Sequence, residues 1–201
     1  MKPLVLAGLA APGVWLGFQW VLAFSGGPHV LGFNPIETTH RFLGETALRI
    51  LLLTLAVTPI RDLTGWQPLL LIRRRIGLAA FVYSLLHVLA YVWLDLNWSA
   101  ARLVEDVILR IYITLGMAAL VLMLPLAATS TNGMIRRLTR RVWERLHWLI
   151  YPLAALAVGH HYFMEKGDQP GPLVHGAILS ALLAWRLVAF LRRRGRAAGS
   201  A

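Results

Sequence analysis

Six apolar stretches, at about 3–24, 43–60, 75–94, 108–128, 147–164 and 172–191, leave this chain of 201 residues little freedom in what it can become. Each approaches the roughly 20 residues that a helix needs to cross the hydrocarbon core of a bilayer. Lipid offers the backbone no hydrogen-bond partners, so runs of this kind are accommodated as continuous helices. Turn formers separate them: Ser25-Gly26-Gly27-Pro28, Thr64-Gly65-Trp66, Thr131-Asn132-Gly133 and Gly167-Asp168-Gln169-Pro170-Gly171. The expectation is an all-α polytopic membrane bundle of six transmembrane helices, forming one domain over residues 1–201. With 58% hydrophobic and only 14% charged residues, the composition sets the chain apart from ordinary soluble domains.

The first stretch runs from Pro3 through Trp15, Phe18 and Phe24 without a small-residue cleavage site, and reads as a retained helix rather than a signal peptide. A net charge of +11 would suit a nucleic-acid partner if it were spread over a polar domain, but here the arginines are bunched between apolar runs. Arg61 and Arg73 to Arg75 fill the second loop, Arg136, Arg137, Arg140, Arg141 and Arg145 the fourth, and Arg192 to Arg194 with Arg196 the tail. The positive-inside rule places these segments, and hence both termini, in the cytoplasm. The first, third and fifth loops mix Arg41, Arg102 and Lys166 with Glu37, Asp95, Glu105, Asp106, Glu165 and Asp168, as expected on the outer side of an inner membrane.

There is no cysteine, so any soft metal ligation falls to the seven histidines. His87 lies inside the third helix, and His160 and His161 inside the fifth; an ionisable residue at such depth is a functional candidate by default. Measured from the outer helix ends at about 1.5 Å per residue, His87 sits roughly 10 Å deep and His160 about 6 Å. Two neutral imidazoles from neighbouring helices at one level suit the axial positions of a b-type haem; the alternative is a pair of histidines packing helices together through hydrogen bonds. His147 opens the fifth helix from the cytoplasmic side, roughly 20 Å of rise before His160 and His161. It is either interfacial or part of a second redox site across the bilayer. An ideal wheel favours His161 over His160 as the partner of His147's face, but Pro152 can kink the helix and leaves both open.

Arg49 lies at a depth comparable to His87, where its guanidinium either pairs with haem propionates or snorkels to the outer headgroups. Arg110 and Arg186, near helix ends, are expected to snorkel, and His29, His40 and His175 to be solvated or to pack loops. No glycine-rich phosphate loop is present and every loop is under about twenty residues, too short for a nucleotide-binding domain. Electrons would then enter from a membrane quinol or a separate reductase and leave to a partner docked outside.

Asn34-Pro35, Thr58-Pro59, Arg73-Arg74-Arg75-Ile76-Gly77-Leu78 leading to Tyr83 and His87, Arg110 to Gly116, Thr129-Ser130, and Leu146-His147 through Tyr151 to His160 occur in an order and spacing that spans nearly the whole chain. In these motifs the chain resembles the MsrQ (YedZ) family, haem-binding membrane subunits of the bacterial periplasmic methionine sulfoxide reductase system. The resemblance implies a ferric-reductase-like transmembrane domain with one b haem or two, FMN binding, and electron delivery from the quinone pool to the periplasmic molybdopterin subunit MsrP, where catalysis would occur. It also implies that His87, His147 and His160 are haem ligands. Related two-haem oxidases carry a further histidine fourteen residues before His87, where this chain has Arg73. Two other readings stand beside this one: a ferric or cupric reductase membrane fragment, and a non-redox transporter or assembly factor whose histidines only pack or shuttle protons.

Overall fold

A computed structural model describes residues 2–165 and 170–198, and among these residues every regular element is helical. In chain order they are α1 (Lys2–Phe24), α2 (Pro35–Thr64), α3 (Leu69–Ala90) running on into a π-helical turn (Tyr91–Asp95), α4 (Ala100–Leu109), α5 (Ile111–Ala128), α6 (Asn132–Arg137), α7 (Arg140–His147), α8 (Ile150–Met164) and α9 (Pro170–Ala198). Five helices are long and apolar enough to cross a membrane: α1, α2, α3 with its π turn, α5 and α9. Lys166 and Asp168, with most of the expected Gly167 to Gly171 turn, lie outside the described residues.

The fifth expected span divides. Where one helix over 147–164 was expected, α7 ends at His147 and α8 begins at Ile150, leaving α8 with 15 residues. At 1.5 Å per residue it is about 22 Å long, against about 30 Å of hydrocarbon. The cause is local. Leu149 N–H bonds Leu146 O and Tyr151 N–H bonds Trp148 O, both at 3.1 Å, closing tight three-residue turns just before Pro152. Pro152 has no N–H to offer Trp148 O, and sits in the first turn of α8 where none is required.

α2 outgrows its expected 43–60 at both ends. Asn34 Oδ1 accepts the Glu37 N–H at 3.2 Å and Pro35 supplies a preset φ in the first turn. At the other end Gly65, at φ 70°, takes the left-handed cap and donates its N–H to Arg61 O at 2.8 Å. Hydropathy registers only the apolar middle and passes over the polar turns holding His40 and Arg41. It passes over α4, α6 and α7 as well, whose N-termini are capped by the hydroxyls of Ser99, Thr131 and Thr139.

Without a hydrophobic drive between helices in lipid, close packing of small residues matters most. α2 is the central helix: it packs along α3, α5 packs along α8, and α1 and α9 lie against this group. Leu55, Ala80 and Ala154 are fully buried at the shared core. Two prolines open their helices, and neighbours repair the gaps. Pro59 leaves Leu55 O without its helical donor, and Arg186 Nη2 of α9 donates to that oxygen at 3.0 Å while Nη1 donates to Tyr151 Oη at 3.0 Å. Arg186 therefore does not snorkel. Beside Pro12, Tyr83 Oη accepts the Gly13 N–H and donates to Leu9 O, both at 2.8 Å, so the hydroxyl sits inside the α1 ladder. Gly13 is required there, since a Cβ would stand 3.2 Å from that oxygen.

The packing gives the bundle two unlike ends. One gathers the arginines expected in loops, which the structure places on helices: Arg61 near the end of α2, Arg73 to Arg75 at the start of α3, and those of α6 and α7. The other carries a polar rim in which Arg41 pairs with Glu165, His40 Nε2 lies 2.5 Å from Asp95 Oδ2, and Tyr91 bonds Asp106.

Candidate functional site

His87 of α3 and His160 of α8 face each other near the polar-rim end, their ring centroids 6.2 Å apart and their planes at 78°. Each ring is held from behind by a backbone carbonyl: His87 Nδ1 is 3.1 Å from His40 O, and His160 Nδ1 is 2.6 Å from Tyr112 O. A carbonyl can only accept, so Nδ1 carries the proton in both rings and Nε2 is left with its lone pair. That is the tautomer and the outer support a metal-bound imidazole needs.

Two glycines make room for the rings. A Cβ on Gly44 would come within 3.2 Å of His87 Cε1, and one on Gly116 within 2.7 Å of His160 Nδ1. Helices α2 and α5 thus meet the imidazoles with bare backbone. Between the rings opens a cavity of about 610 Å³, lined also by Leu48, Leu51, Ile113, Met123 and Ala157. Its volume falls in the range of cofactor pockets, roughly 300–1,000 Å³.

The spacing fits one ion between two imidazoles. Metal–imidazole bonds of about 2.0–2.1 Å, with a ring centre about 1.1 Å behind its nitrogen, give centroids on the order of 6.3 Å apart. Among the described residues no three His, Asp or Glu side chains gather into a bare metal site. The pair suits an ion that brings its remaining ligands with it, as an iron porphyrin does.

The other sequence candidates do not join this pair. His161, beside His160, is buried and also lines the cavity, but its ring packs on His175 with centroids 5.2 Å apart. His175 was expected to be solvated or to pack a loop and is instead 7% exposed on α9, which lies against α8. Arg49 pairs with Glu45 one helical turn away, and its side chain is 62% exposed. It is absent from the outer cavity wall; Arg41 and Arg110 line the rim instead. His40 lies inside the rim, its carbonyl holding His87 and its ring 6.0 Å from that imidazole. Hydropathy placed it outside because the polar first turns of α2 lower the local average.

His147 belongs to a second cavity, about 500 Å³, at the arginine-rich end. Its ring stacks on Trp143 at 3.8 Å and its Nδ1 lies 3.0 Å from Trp143 O, which again leaves Nε2 with the lone pair. Arg73, Arg74 and Arg186 share that wall, with Glu144 as its acidic member. Burial disfavours the charged form of the His147 ring and holds its pKa below the ordinary range. The break at Trp148-Leu149 removes the ideal-wheel relation between His147 and the outer histidines.

Sequence reasoning missed Gly44, Gly116, Tyr112, Tyr91 and Asp106. The glycines carried a readable signal, since a glycine within a transmembrane helix marks close approach, but nothing in the sequence said what approaches.

Comparison with known proteins supplies the family. The model of the ferric reductase like transmembrane component matches residues 43–158, which contain His87, both glycines and His147 and end two residues before His160. The protein-methionine-sulfoxide reductase heme-binding subunit MsrQ of Xanthomonas campestris is 44% identical over 186 residues, covering 92% of this chain and 85% of the relative. Its counterpart in Rhodospirillum rubrum is 48% identical over 195 residues, covering 96% and 91%. The chain belongs to the MsrQ family, within the ferric reductase like transmembrane components.

Proposed function

We propose that this protein is the haem b electron-transfer subunit of a methionine sulfoxide reductase system in the bacterial inner membrane. His87 and His160 are its axial ligands. The observation that carries this reading is the pair of opposed imidazoles, 6.2 Å apart, each with Nδ1 tied to a carbonyl and a glycine beneath it. Bound there, the group supplies a one-electron carrier with both axial positions filled. The chain's own residues hold the two ring tautomers, keep the walls apolar, and leave the polar rim as the side from which an acceptor is served.

On this reading α8 completes six spans, the arginine-rich end and both termini are cytoplasmic, and the polar rim faces the periplasm. A membrane quinol or a cytoplasmic flavin reductase is the electron donor, and the periplasmic subunit MsrP is the acceptor and the site of catalysis on oxidised methionine. FMN binding is carried by the family resemblance alone, and His147, at the wall of the inner cavity, is the candidate ligand for a second haem. Arg73, the position of a second histidine in two-haem relatives, shares that wall with it.

The visible spectrum of the detergent-purified protein, oxidised and dithionite-reduced, tests the assignment. A low-spin six-coordinate b haem is expected. His87→Ala and His160→Ala should each lose it or become high-spin, and His161→Ala should retain it. A colourless wild-type protein, or full low-spin spectra from both ligand variants, would overturn the assignment.

A further inference from the structure

We propose that Asp106 is a positioning residue for the outer cavity: it holds the Arg110 guanidinium at the rim as a cationic donor to an acidic edge group, such as a propionate, of the haem bound between His87 and His160. The proposal rests on the haem reading above.

The carboxylate of Asp106 is divided between two rim residues. Oδ1 lies 2.9 Å from Arg110 Nε, and Oδ2 accepts the Tyr91 hydroxyl. Tyr91 and Arg110 line the outer cavity, whereas Asp106 does not, so it acts through them. Helix α4 explains why a carboxylate is available there. Val104 and Ile108 are exposed on its apolar side, and at 100° per residue position 106 falls about 160° from both, on the side turned to the bundle. The Asp106 side chain is 14% exposed.

Arg110 needs such a tether. It occupies the extended joint between α4 and α5, and its side chain is 53% exposed. An arginine gives up side-chain rotamer entropy when held in one geometry. Fixing Nε orients the planar head while the terminal nitrogens stay available, one of them 3.4 Å from Tyr112 Oη. Tyr112 is also the residue whose carbonyl holds His160, which places the guanidinium on the His160 side of the cavity. Arg41, the other arginine of the rim, is engaged by both oxygens of Glu165 and has Glu37 3.9 Å away. Arg110 is therefore the better-placed cation for an acidic ligand.

The midpoint potential of the haem in the purified protein, read by optical redox titration, separates positioning from simple electrostatics by sign. Arg110→Gln removes a cation beside the haem, and the potential should fall, by roughly the tenfold change in reduction equilibrium that corresponds to about 59 mV for one electron. If Asp106 acts through Arg110, Asp106→Asn should also lower the potential, and the double variant should fall no further than Arg110→Gln alone. If Asp106 acts only as a nearby negative charge, Asp106→Asn should raise it. A raised or unchanged potential in Asp106→Asn, with haem content and low-spin spectrum as in wild type, overturns the proposal. Should Asp106→Asn not accumulate, an unchanged potential in Arg110→Gln overturns it equally. A wild-type protein without haem would instead refute the functional reading itself.

Discussion

Gly116→Ala tests the ligand geometry at its tightest point. The added methyl would stand 2.7 Å from His160 Nδ1, 3.0 Å from Cε1 and 3.3 Å from Cγ. Ordinary contact begins near 3.5 Å, so the ring or helix α5 must yield by about 0.8 Å. The ring has no easy retreat, because Nδ1 is bound to Tyr112 O at 2.6 Å, one turn earlier on the same helix. Moving away from residue 116 breaks that hydrogen bond and changes the ring's placement opposite His87. Losing an outer-sphere partner of a metal-bound histidine lowers metal affinity about 10–100-fold, and the displacement adds to that. Gly44→Ala provides an internal scale, since its methyl would meet His87 at 3.2 Å and 3.3 Å, a conflict of a few tenths of an ångström. Gly8→Ala, with nothing within 4 Å, is the control. Haem per polypeptide and the low-spin fraction, measured after purification in excess haem, should fall strongly in Gly116→Ala, slightly in Gly44→Ala and not at all in Gly8→Ala. Equal spectra from Gly116→Ala and Gly8→Ala would refute the claim that His160 is held in a ligating position by that backbone.

Two further variants probe the repairs beside the prolines. Tyr83→Phe leaves Gly13 N–H and Leu9 O without the hydroxyl that joins them, and thermal unfolding in detergent should show a loss of about 1–3 kcal/mol; no change would mean that α1 closes its own ladder. Arg186→Met should destabilise similarly by stranding Leu55 O, and adding Pro59→Ala should recover part of the loss by restoring the helical N–H. A double variant no more stable than Arg186→Met alone would show that the arginine has another task.

What the sequence makes legible follows the reach of each physical signal. Hydropathy marks lipid-facing and core segments alike, so five spans and the middle of α2 are visible as apolar runs. It fails at α8, where a turn, not a loss of apolarity, ends the helix, and at the polar turns of α2, which hold His40 and Arg41. Depth along a helix is a one-dimensional quantity, and it brought His87 and His160 to the same level. Azimuth is not, and Pro152 with its preceding turn hid which of two adjacent histidines has its ring against His87. Arg186 illustrates the remaining gap. A cation near a helix end normally reaches for headgroups, and only the tertiary arrangement reveals a carbonyl, freed by a proline 127 positions earlier in the chain, waiting for it.

The two cavities share a wall, and that wall bears on how the chain could conduct. Leu51, Met123 and Leu153 line both spaces, and all three are buried, at 3%, 6% and 1% exposure. Three buried apolar side chains thus stand where the two spaces meet. The arginines at the inner end acquire a second meaning from the same arrangement. Arg73 and Arg74 were expected as loop charges under the positive-inside rule, but they lie on α3, and with Arg186 they face a cavity whose acidic member is Glu144. Their field favours an anionic occupant there and raises the potential of whatever carrier it surrounds. If, as proposed, electrons pass from the inner cavity to the haem beyond the wall, that haem would have to be stabilised in its reduced form as well, which would give the cation at Arg110 a thermodynamic role and not only a gripping one.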